Sequence, residues 1–195
     1  MGLESLKDED LLERARKGCE SSFTALYRRH QGGIYRFALQ MCGSAQVAEE
    51  VTQEVFVALV AELDRYDSTR GPLLPYLMGV ARNQVYRWLR REQPFLALDD
   101  DIGEASLLPA SANLLHELTR REAIDALRRA IHSLPPVYRE VVLLCDIEEM
   151  DYSMAARVIG CAVGTVRSRL HRARALLAGK WKAGRHPAAS GKEQG

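Results

Sequence analysis

Apolar residues recur at intervals of three and four positions along most of this chain. One such set predicts a helix with a buried face, and it consists of Val166, Leu170, Ala173 and Leu177. Comparable sets surround Leu12, Leu26, Val51, Leu77, Leu127, Val141 and Ala155. No stretch shows the convincing alternation of a β-strand, so the sequence predicts an all-α fold.

Capping residues and helix breakers divide these sets into separate helices. Asp8 or Asp10 could cap the first helix, and Ser21 or Ser22 could cap the second. Gly43-Ser44 is expected to end the second helix and cap the third, because glycine closes helices cheaply and serine opens them well.

One acidic segment without a helical period separates two groups of helices. Residues 93–115 contain turn-forming residues and the Asp99-Asp100-Asp101 run, which predict a flexible linker. The sequence therefore predicts two small helical domains, over residues 1–92 and 116–180, and a disordered tail over residues 181–195.

The second domain, predicted to have four helices, contains a tight turn at Gly160. Only glycine enters the left-handed backbone region cheaply, so Gly160 is expected just after the end of one helix. The next helix carries Val166 on its apolar face and mostly basic residues elsewhere. A helix, a glycine turn and a basic helix indicate a helix-turn-helix, whose second helix fits the major groove of DNA.

The basic charge of this motif extends to the C-terminus. Residues 152–195 contain nine Lys or Arg residues and a single acid, Glu193. This footprint favours nucleic-acid binding over the alternative, a solvated basic helix in an ordinary bundle.

Charge is segregated in the rest of the chain, although the totals of 27 basic and 26 acidic residues nearly balance. Residues 64–91 contain six arginines, and Tyr86 lies among them on a helix that Pro75 can start. Aromatic residues mixed with arginines suit single-stranded nucleic acid, and an aromatic core rim with snorkelling arginines is an equal interpretation. An acidic stripe on the third helix contains Glu50, Gln53 and Glu54, and its pattern alone favours a solvated face.

Composition argues against several other classes of protein. The polar N-terminus lacks the features of a signal peptide, and no apolar run is long enough to insert in a membrane, so a cytoplasmic protein is expected. The four cysteines are widely spaced and form no metal-type pair; buried reduced thiols are favoured over a redox role. The histidines are scattered, and there is no phosphate loop or nucleophile motif, so we expect no catalytic residue, no metal and no cofactor.

Two separated stretches resemble the extracytoplasmic-function (ECF, group 4) sigma factors of the sigma-70 family. In the first domain, Ala48 to Phe56 is similar to the helix that binds core polymerase, and Tyr66 to Asn83 is similar to the loop and helix that read the −10 element. In the second domain, Ser133 to Val141 and Val163 to Arg174 resemble the −35 domain. A helix-turn-helix alone is weakly specific, whereas two motif-bearing domains in this order are strongly specific.

The resemblance implies a transcription initiation factor with three groups of functional residues. Those for core RNA polymerase, on its β′ clamp helices, are Glu49, Glu50, Gln53 and Glu54. Those for −10 promoter DNA are Tyr66, Asp67, Arg70, Tyr76, Arg82, Asn83 and Arg87. Those for −35 promoter DNA are Thr165, Arg167, Ser168, Arg169, His171, Arg172 and Arg174. The implied partners also include the polymerase β flap and, as is frequent in the family, an anti-sigma factor.

The chain departs from the family pattern at three points. Tyr76 stands where tryptophan is usual, Ala162 stands where proline is frequent, and Ser153 to Ala156 lacks the usual acidic residue. These departures affect the expected promoter sequence more than the expected function. The rival interpretation is a helix-turn-helix repressor or response-regulator output module, which leaves the acidic stripe and the stretch from Tyr66 to Arg91 without a role.

Overall fold

The computed structural model describes residues 3–92 and 120–183, and in these two ranges the ordered elements are helical. The predicted linker, residues 93–115, lies outside the described residues, as do Leu118 and the part of the predicted tail after Ala183. The last helix continues to Ala183, three residues beyond the predicted end of the second domain.

The first domain has four α-helices, preceded by a short 3-10 turn. Their bounds are α1 (Asp8–Arg16), α2 (Glu20–Cys42), α3 (Ala45–Glu62) and α4 (Leu73–Glu92). A 3-10 turn, Ser68–Arg70, lies in the loop between α3 and α4. The helices pack around fully buried apolar side chains, among them Leu26, Phe37, Val55, Leu59 and Leu77.

The described part of the second domain, from residue 120, also has four α-helices. They are α5 (Arg120–His132), α6 (Pro136–Val142), α7 (Tyr152–Ile159) and α8 (Val163–Ala183), and α6 continues into a π-helical turn, Leu143–Ile147. The predicted stripe on α8 is confirmed, because Val166, Leu170 and Ala173 are buried and Leu177 is partly buried against the core. The prediction for α5 is only partly right: Ile131 is buried, but Leu127 is 43% exposed.

The helix caps confirm some predictions and correct others. Ser44 caps α3 by accepting a hydrogen bond from the Val47 amide, as the sequence indicates. The prediction for α1 is wrong, because Lys7 is the N-cap and Asp8 is the first helical residue. The prediction for α2 is also wrong, because its N-cap is Cys19, two residues before Ser21 and three before Ser22.

The two domains pack directly against each other. Helix α4 of the first domain lies along α7 of the second, and α2 contacts α5 and α6. The buried apolar residues of both domains belong to one continuous cluster. The surfaces that the sequence assigns to DNA therefore lie close to this interface.

Candidate DNA-reading and polymerase-binding surfaces

The helix-turn-helix motif consists of α7, a turn at Gly160 and α8. Asp151 caps α7 by accepting a hydrogen bond from the Met154 amide, 2.8 Å away. Gly160 has φ 78° and ψ 36°, so the predicted left-handed conformation is confirmed. This turn lets the apolar side of α8 pack on α7 and leaves its other side for a ligand.

Five of the predicted −35 residues are exposed on α8. Arg174 has a carboxylate partner, whereas four of the five have none among the described residues: Arg167, Ser168, His171 and Arg172. The Arg167 guanidinium carbon lies 5.9 Å from the ring centroid of Tyr152 on α7, which orients this side chain by a cation–π contact. An exposed basic helix face of this kind can reach phosphates and base edges in a major groove.

The other three predicted −35 residues are placed differently. Arg169 is largely buried and lies 3.6 Å from a carboxylate oxygen of Glu140. Arg174 binds Asp146 through two contacts of 2.5 and 3.2 Å, which raises the pKa of this guanidinium. Thr165 is half-buried, and its carbonyl accepts a hydrogen bond from the Ser168 hydroxyl. Arg169 and Arg174 thus have carboxylate partners within the domain.

The loop between α3 and α4 forms an aromatic pocket. The rings of Tyr66 and Tyr76 meet edge to face with their centroids 5.3 Å apart, and burial raises the pKa of both hydroxyls. The Tyr66 hydroxyl donates to the Gly71 carbonyl, 2.9 Å away, and Asp67 accepts from the Thr69 amide at the same distance. Arg16 of α1 stabilises the loop by donating hydrogen bonds to the carbonyls of Leu63 and Tyr66.

This pocket encloses about 340 Å³. Its lining residues are Glu62, Arg65, Tyr66, Asp67, Gly71, Pro72, Pro75, Tyr76 and Arg157. A volume of this order lies at the lower end of the range for small-molecule sites, and aromatic walls suit a flat ring. Arg70 belongs to the loop, and its side chain lies outside the described residues.

The polar face of α4 is split between solvent and the domain interface. Asn83 and Arg87 are exposed and line a cleft between the two domains. Arg82 is turned inward: its Nε donates to Glu140 of α6 at 2.7 Å. Its guanidinium also lies over the Tyr86 ring, 4.5 Å from the centroid.

The structure corrects the interpretation of Tyr86 as a platform for stacked bases. Its side chain is only 7% exposed, and burial raises the pKa of its hydroxyl, with a further contribution from the Glu140 carboxylate. The alternative of an aromatic core rim is confirmed at this position. Tyr86 is buried because the second domain covers this face of α4.

The acidic stripe on α3 is exposed as predicted. Glu49, Glu50, Gln53 and Glu54 all lie on the surface, whereas Val51 and Val55 are buried on the opposite side of the helix. Gln46 donates a hydrogen bond to Glu50 at 3.1 Å. Val57 and Val60 lie on the same helix with 62% and 56% of their surface exposed, so the stripe borders an apolar patch.

Sequence reasoning missed the charged residues of the domain interface. Glu140 is fully buried and Arg139 is 7% exposed, although both stand inside the apolar run from Val137 to Val142. Adjacent charges within an apolar run signal buried groups that need partners. In the part of the chain that the structure describes, no cluster of His, Cys, Asp and Glu suits a metal ion, and no helix could cross a membrane.

Comparisons with known proteins agree with this arrangement. Residues 26–95 match the family model of Sigma-70 region 2, and residues 124–177 match that of Sigma-70 region 4. The ECF RNA polymerase sigma factor SigE of Mycolicibacterium smegmatis is 32% identical over 158 residues, which are 80% of this chain and 60% of that protein. The ECF RNA polymerase sigma factor SigW of Bacillus subtilis is 24% identical over 85% of this chain and 92% of its own length.

A solved structure, CnrH in complex with the cytosolic domain of CnrY, is also similar. It superimposes with a TM-score of 0.68 and 26% identity, and the match covers 90% of this chain and 97% of CnrH. The chain belongs to the sigma-70 family and, within it, to the ECF sigma factors. It is a sigma factor, which directs RNA polymerase to promoters, and its family consists of transcription factors that are not enzymes. The match to Sigma-70 region 2 covers the stretch from Tyr66 to Arg91, which the repressor interpretation would leave without a role.

Proposed function

We propose that each domain performs one part of promoter recognition. The recognition helix α8 reads the −35 duplex through Arg167, Ser168, His171 and Arg172. The pocket between Tyr66 and Tyr76 takes an unpaired base of the −10 element. The observation that carries the proposal is the presence of an exposed basic recognition helix and an aromatic-walled pocket in one chain, on the two domains matched by the family models.

Capture of an unpaired −10 base requires favourable contacts that compensate for the lost base stacking. Extruding a base costs a few kcal/mol, and a pocket that stacks and hydrogen-bonds the base can offset this cost. Tyr66 and Tyr76 supply the stacking surface of the pocket. The exposed amide of Asn83 lines the separate cleft between the domains, where it offers both a donor and an acceptor to another unpaired base. Arg87, exposed on the same helix, suits a neighbouring phosphate.

The acidic stripe on α3 is proposed as the contact with core polymerase. Its four polar residues and the neighbouring Val57 and Val60 form a mixed surface, acidic at one side and apolar at the other. Such a surface suits a basic helical partner, and the family resemblance supports the β′ clamp helices in this role. We also propose that α5 to α8 contact the β flap, and that the protein acts in the cytoplasm with the polymerase.

An anti-sigma factor is a further proposed partner. Support comes from the family, in which such partners are frequent, and from the similarity to CnrH, which was solved with the cytosolic domain of CnrY. The partner would have to cover the exposed polymerase-binding or DNA-reading residues.

Run-off transcription with purified core polymerase tests the proposed function. Added to core enzyme on genomic DNA, the protein should produce transcripts with defined 5′ ends that core alone does not produce. A helix-turn-helix repressor would add no new start sites and would not comigrate with core polymerase on a native gel. Either result would overturn the proposal.

A further inference from the structure

One arginine on the exposed face of the recognition helix is already paired with a carboxylate of the same domain. Arg174 lies on the same side of α8 as Arg167 and His171, because these residues are spaced by four and three positions. Arg174 donates to Asp146 through Nε at 3.2 Å and through Nη2 at 2.5 Å. The charge of this arginine is therefore offset before any DNA arrives.

Asp146 is held beside α8 by an unusual backbone turn. It belongs to the π-helical turn Leu143–Ile147, which continues from α6. The Glu148 amide donates to the Leu143 carbonyl at 2.9 Å, and the side chains of Leu143 and Leu144 are buried in the core. Such turns are frequent at functional sites. The carboxylate thus has a fixed position next to the recognition helix.

Tyr152, the first residue of α7, connects this ion pair with the rest of the exposed face. The guanidinium carbon of Arg167 lies 5.9 Å from the centroid of the Tyr152 ring. Asp146 raises the pKa of the Arg174 guanidinium by hydrogen bonding and by its charge, and Tyr152 adds to this effect, so Tyr152 is also close to Arg174. A DNA backbone that approaches Arg167 would therefore pass close to Arg174.

The pair is accessible enough to exchange its partner. The Arg174 side chain is 56% exposed and the Asp146 side chain is 29% exposed. Exposed ion pairs contribute little to folding stability, so the main effect of this pair is on the charge that α8 presents to a ligand. Arg169 differs, because its side chain is only 14% exposed and lies beside the buried Glu140.

An internal carboxylate changes what an arginine contributes to DNA binding. Contacts between arginine and phosphate raise the affinity for every DNA sequence. Arg174 must give up Asp146 before it gains a phosphate, so non-specific DNA gains less from this arginine. The specificity of a site increases when binding of the wrong ligand is penalised.

We propose that Asp146 is a specificity-determining residue, which withholds Arg174 from the phosphates of non-specific DNA. The inference rests on the proposed function, because it takes α8 as the helix that reads −35 DNA. Asp146 acts through Arg174 and needs no contact with DNA. Removal of its charge should tighten binding to any duplex and reduce the preference for promoter DNA.

Substitution of Asp146, with and without Arg174, tests this role on the full chain. The measurement is the fluorescence anisotropy of a labelled duplex of about 30 base pairs and arbitrary sequence, between about 50 and 200 mM salt. Asp146→Asn should tighten binding about fivefold and steepen the log–log salt dependence by about one unit, because one more arginine releases counterions. In the Arg174→Gln background, the same substitution should change the affinity less than about twofold.

Two matched controls separate the release of Arg174 from a change in net charge. Asp125→Asn frees Arg128 from an exposed ion pair of 3.1 Å on α5 and changes the net charge equally; it should alter the affinity less than about twofold, because salt screens distant charges. Arg172→Gln and Arg174→Gln also change the net charge equally. Arg172→Gln should weaken binding more, because Arg174 is already paired within the domain.

Three results would overturn the inference. They are an unchanged affinity of Asp146→Asn for the duplex, equal tightening with and without Arg174, and equal losses for Arg172→Gln and Arg174→Gln. Thermal unfolding followed by circular dichroism should give the same midpoint for Asp146→Asn and the wild type, because the pair is exposed.

Run-off transcription distinguishes this inference from the proposed function. If the wild type with core polymerase produces no new start sites, the proposed function is wrong, whereas the duplex measurements still decide the role of Asp146. If start sites are found, Asp146→Asn should lose about fivefold of the preference for that promoter over the arbitrary duplex. A preference equal to that of the wild type would contradict a role in specificity.

Discussion

Glu140 and Arg82 lie 58 positions apart in the chain, and their side chains meet at 2.7 Å in the interior of the protein. The carboxylate is fully buried and the arginine side chain is 20% exposed. A buried charge pair adds little net stability compared with a hydrophobic pair, but losing one partner leaves the other charge without compensation. Removing the Glu140 carboxylate is therefore expected to lower the free energy of unfolding.

Glu140→Ala should lower the free energy of unfolding by about 3 kcal/mol, because two partly buried arginines lose their shared carboxylate. Urea denaturation followed by circular dichroism measures this change. Glu49→Ala removes an exposed carboxylate of the same type and should change stability by no more than about 0.5 kcal/mol. Equal stability of the two variants would contradict the buried bridge.

The acidic stripe should matter for polymerase binding and not for the fold. Gln53→Ala combined with Glu54→Lys should weaken binding to core polymerase, because the charge facing a basic partner is reversed. Titration of labelled protein into core polymerase measures the affinity. Glu20→Lys, on exposed α2 surface, is the control for net charge. An unchanged affinity with a native circular dichroism spectrum would exclude this surface.

Asp8 should stabilise the first domain in a way that depends on pH. Burial opposes its ionisation, but the hydrogen bond with His30 and the charge of Arg29 outweigh burial and lower the pKa of the carboxyl. The folded state therefore favours the ionised form, so the stabilisation is present above the unfolded pKa of Asp8 and is lost as the pH falls through its lower folded pKa.

The comparison of wild type with Asp8→Asn tests this dependence. Wild type should be the more stable protein near neutrality, and the difference in the free energy of unfolding should shrink from about pH 5 downward. A difference that stays constant to about pH 2 would show that the Asp8 charge does not contribute.

Cys19 should be alkylated more readily than Cys42 and Cys145 near neutral pH. The hydroxyls of Ser21 and Ser22 each lie 3.2 Å from its sulfur, and these hydrogen bonds lower the pKa of Cys19 to about 7. Burial raises the pKa of Cys145 to about 11 and that of Cys42 to about 12. Mass spectrometry after iodoacetamide treatment measures the modified fraction of each cysteine.

Ser22→Ala provides the internal check, because it removes one of the hydrogen bonds to the thiolate. The midpoint of Cys19 alkylation should then move to higher pH. An unchanged midpoint would show that the hydroxyls do not set the acidity of this thiol.

Local pattern was sufficient to predict the helices and the turn of the helix-turn-helix. The spacing of Val166, Leu170 and Ala173 defines the buried face of one helix, and Gly160 defines the backbone conformation of one turn. Neither prediction depends on residues that are distant in the chain. The predicted N-cap of α2 was wrong because the Ser21 and Ser22 hydroxyls contact the Cys19 sulfur within the first turn. The predicted N-cap of α1 was wrong because tertiary contacts compete for the capping group. Asp8, for example, binds Arg29 and His30 instead of a backbone amide.

Tertiary placement limited the prediction of the candidate sites. Arg82, Arg169 and Tyr86 all fit a nucleic-acid surface by residue type, but all three face the domain interface. No periodicity relates Arg82 to Glu140 or Arg36 to Glu148, because the partners belong to different domains. The exposed residues Asn83, Arg167 and Arg172 fit the sequence prediction because they depend only on the exposed face of their own helix.

The two proposed reading sites should act at different stages of promoter binding. Arg172→Ala should weaken the closed complex on duplex DNA. If Arg172 contacts a phosphate, the salt dependence should fall by about one unit of log–log slope, and if it contacts a base, discrimination at one −35 position should fall by about 1–3 kcal/mol. Asn83→Ala should leave closed-complex binding near normal and impair strand opening, because its proposed partner is an unpaired base.

Permanganate footprinting of the −10 region, alongside filter binding on duplex and pre-melted templates, tests this division most directly. Asn83→Ala holoenzyme should bind duplex promoter normally, show little permanganate reactivity at −10 thymines, and be only partly rescued by a pre-melted bubble. Arg172→Ala holoenzyme should bind duplex weakly but open whatever it binds. Normal opening by Asn83→Ala, or an effect of Arg172→Ala only after melting, would contradict the placement of the two sites.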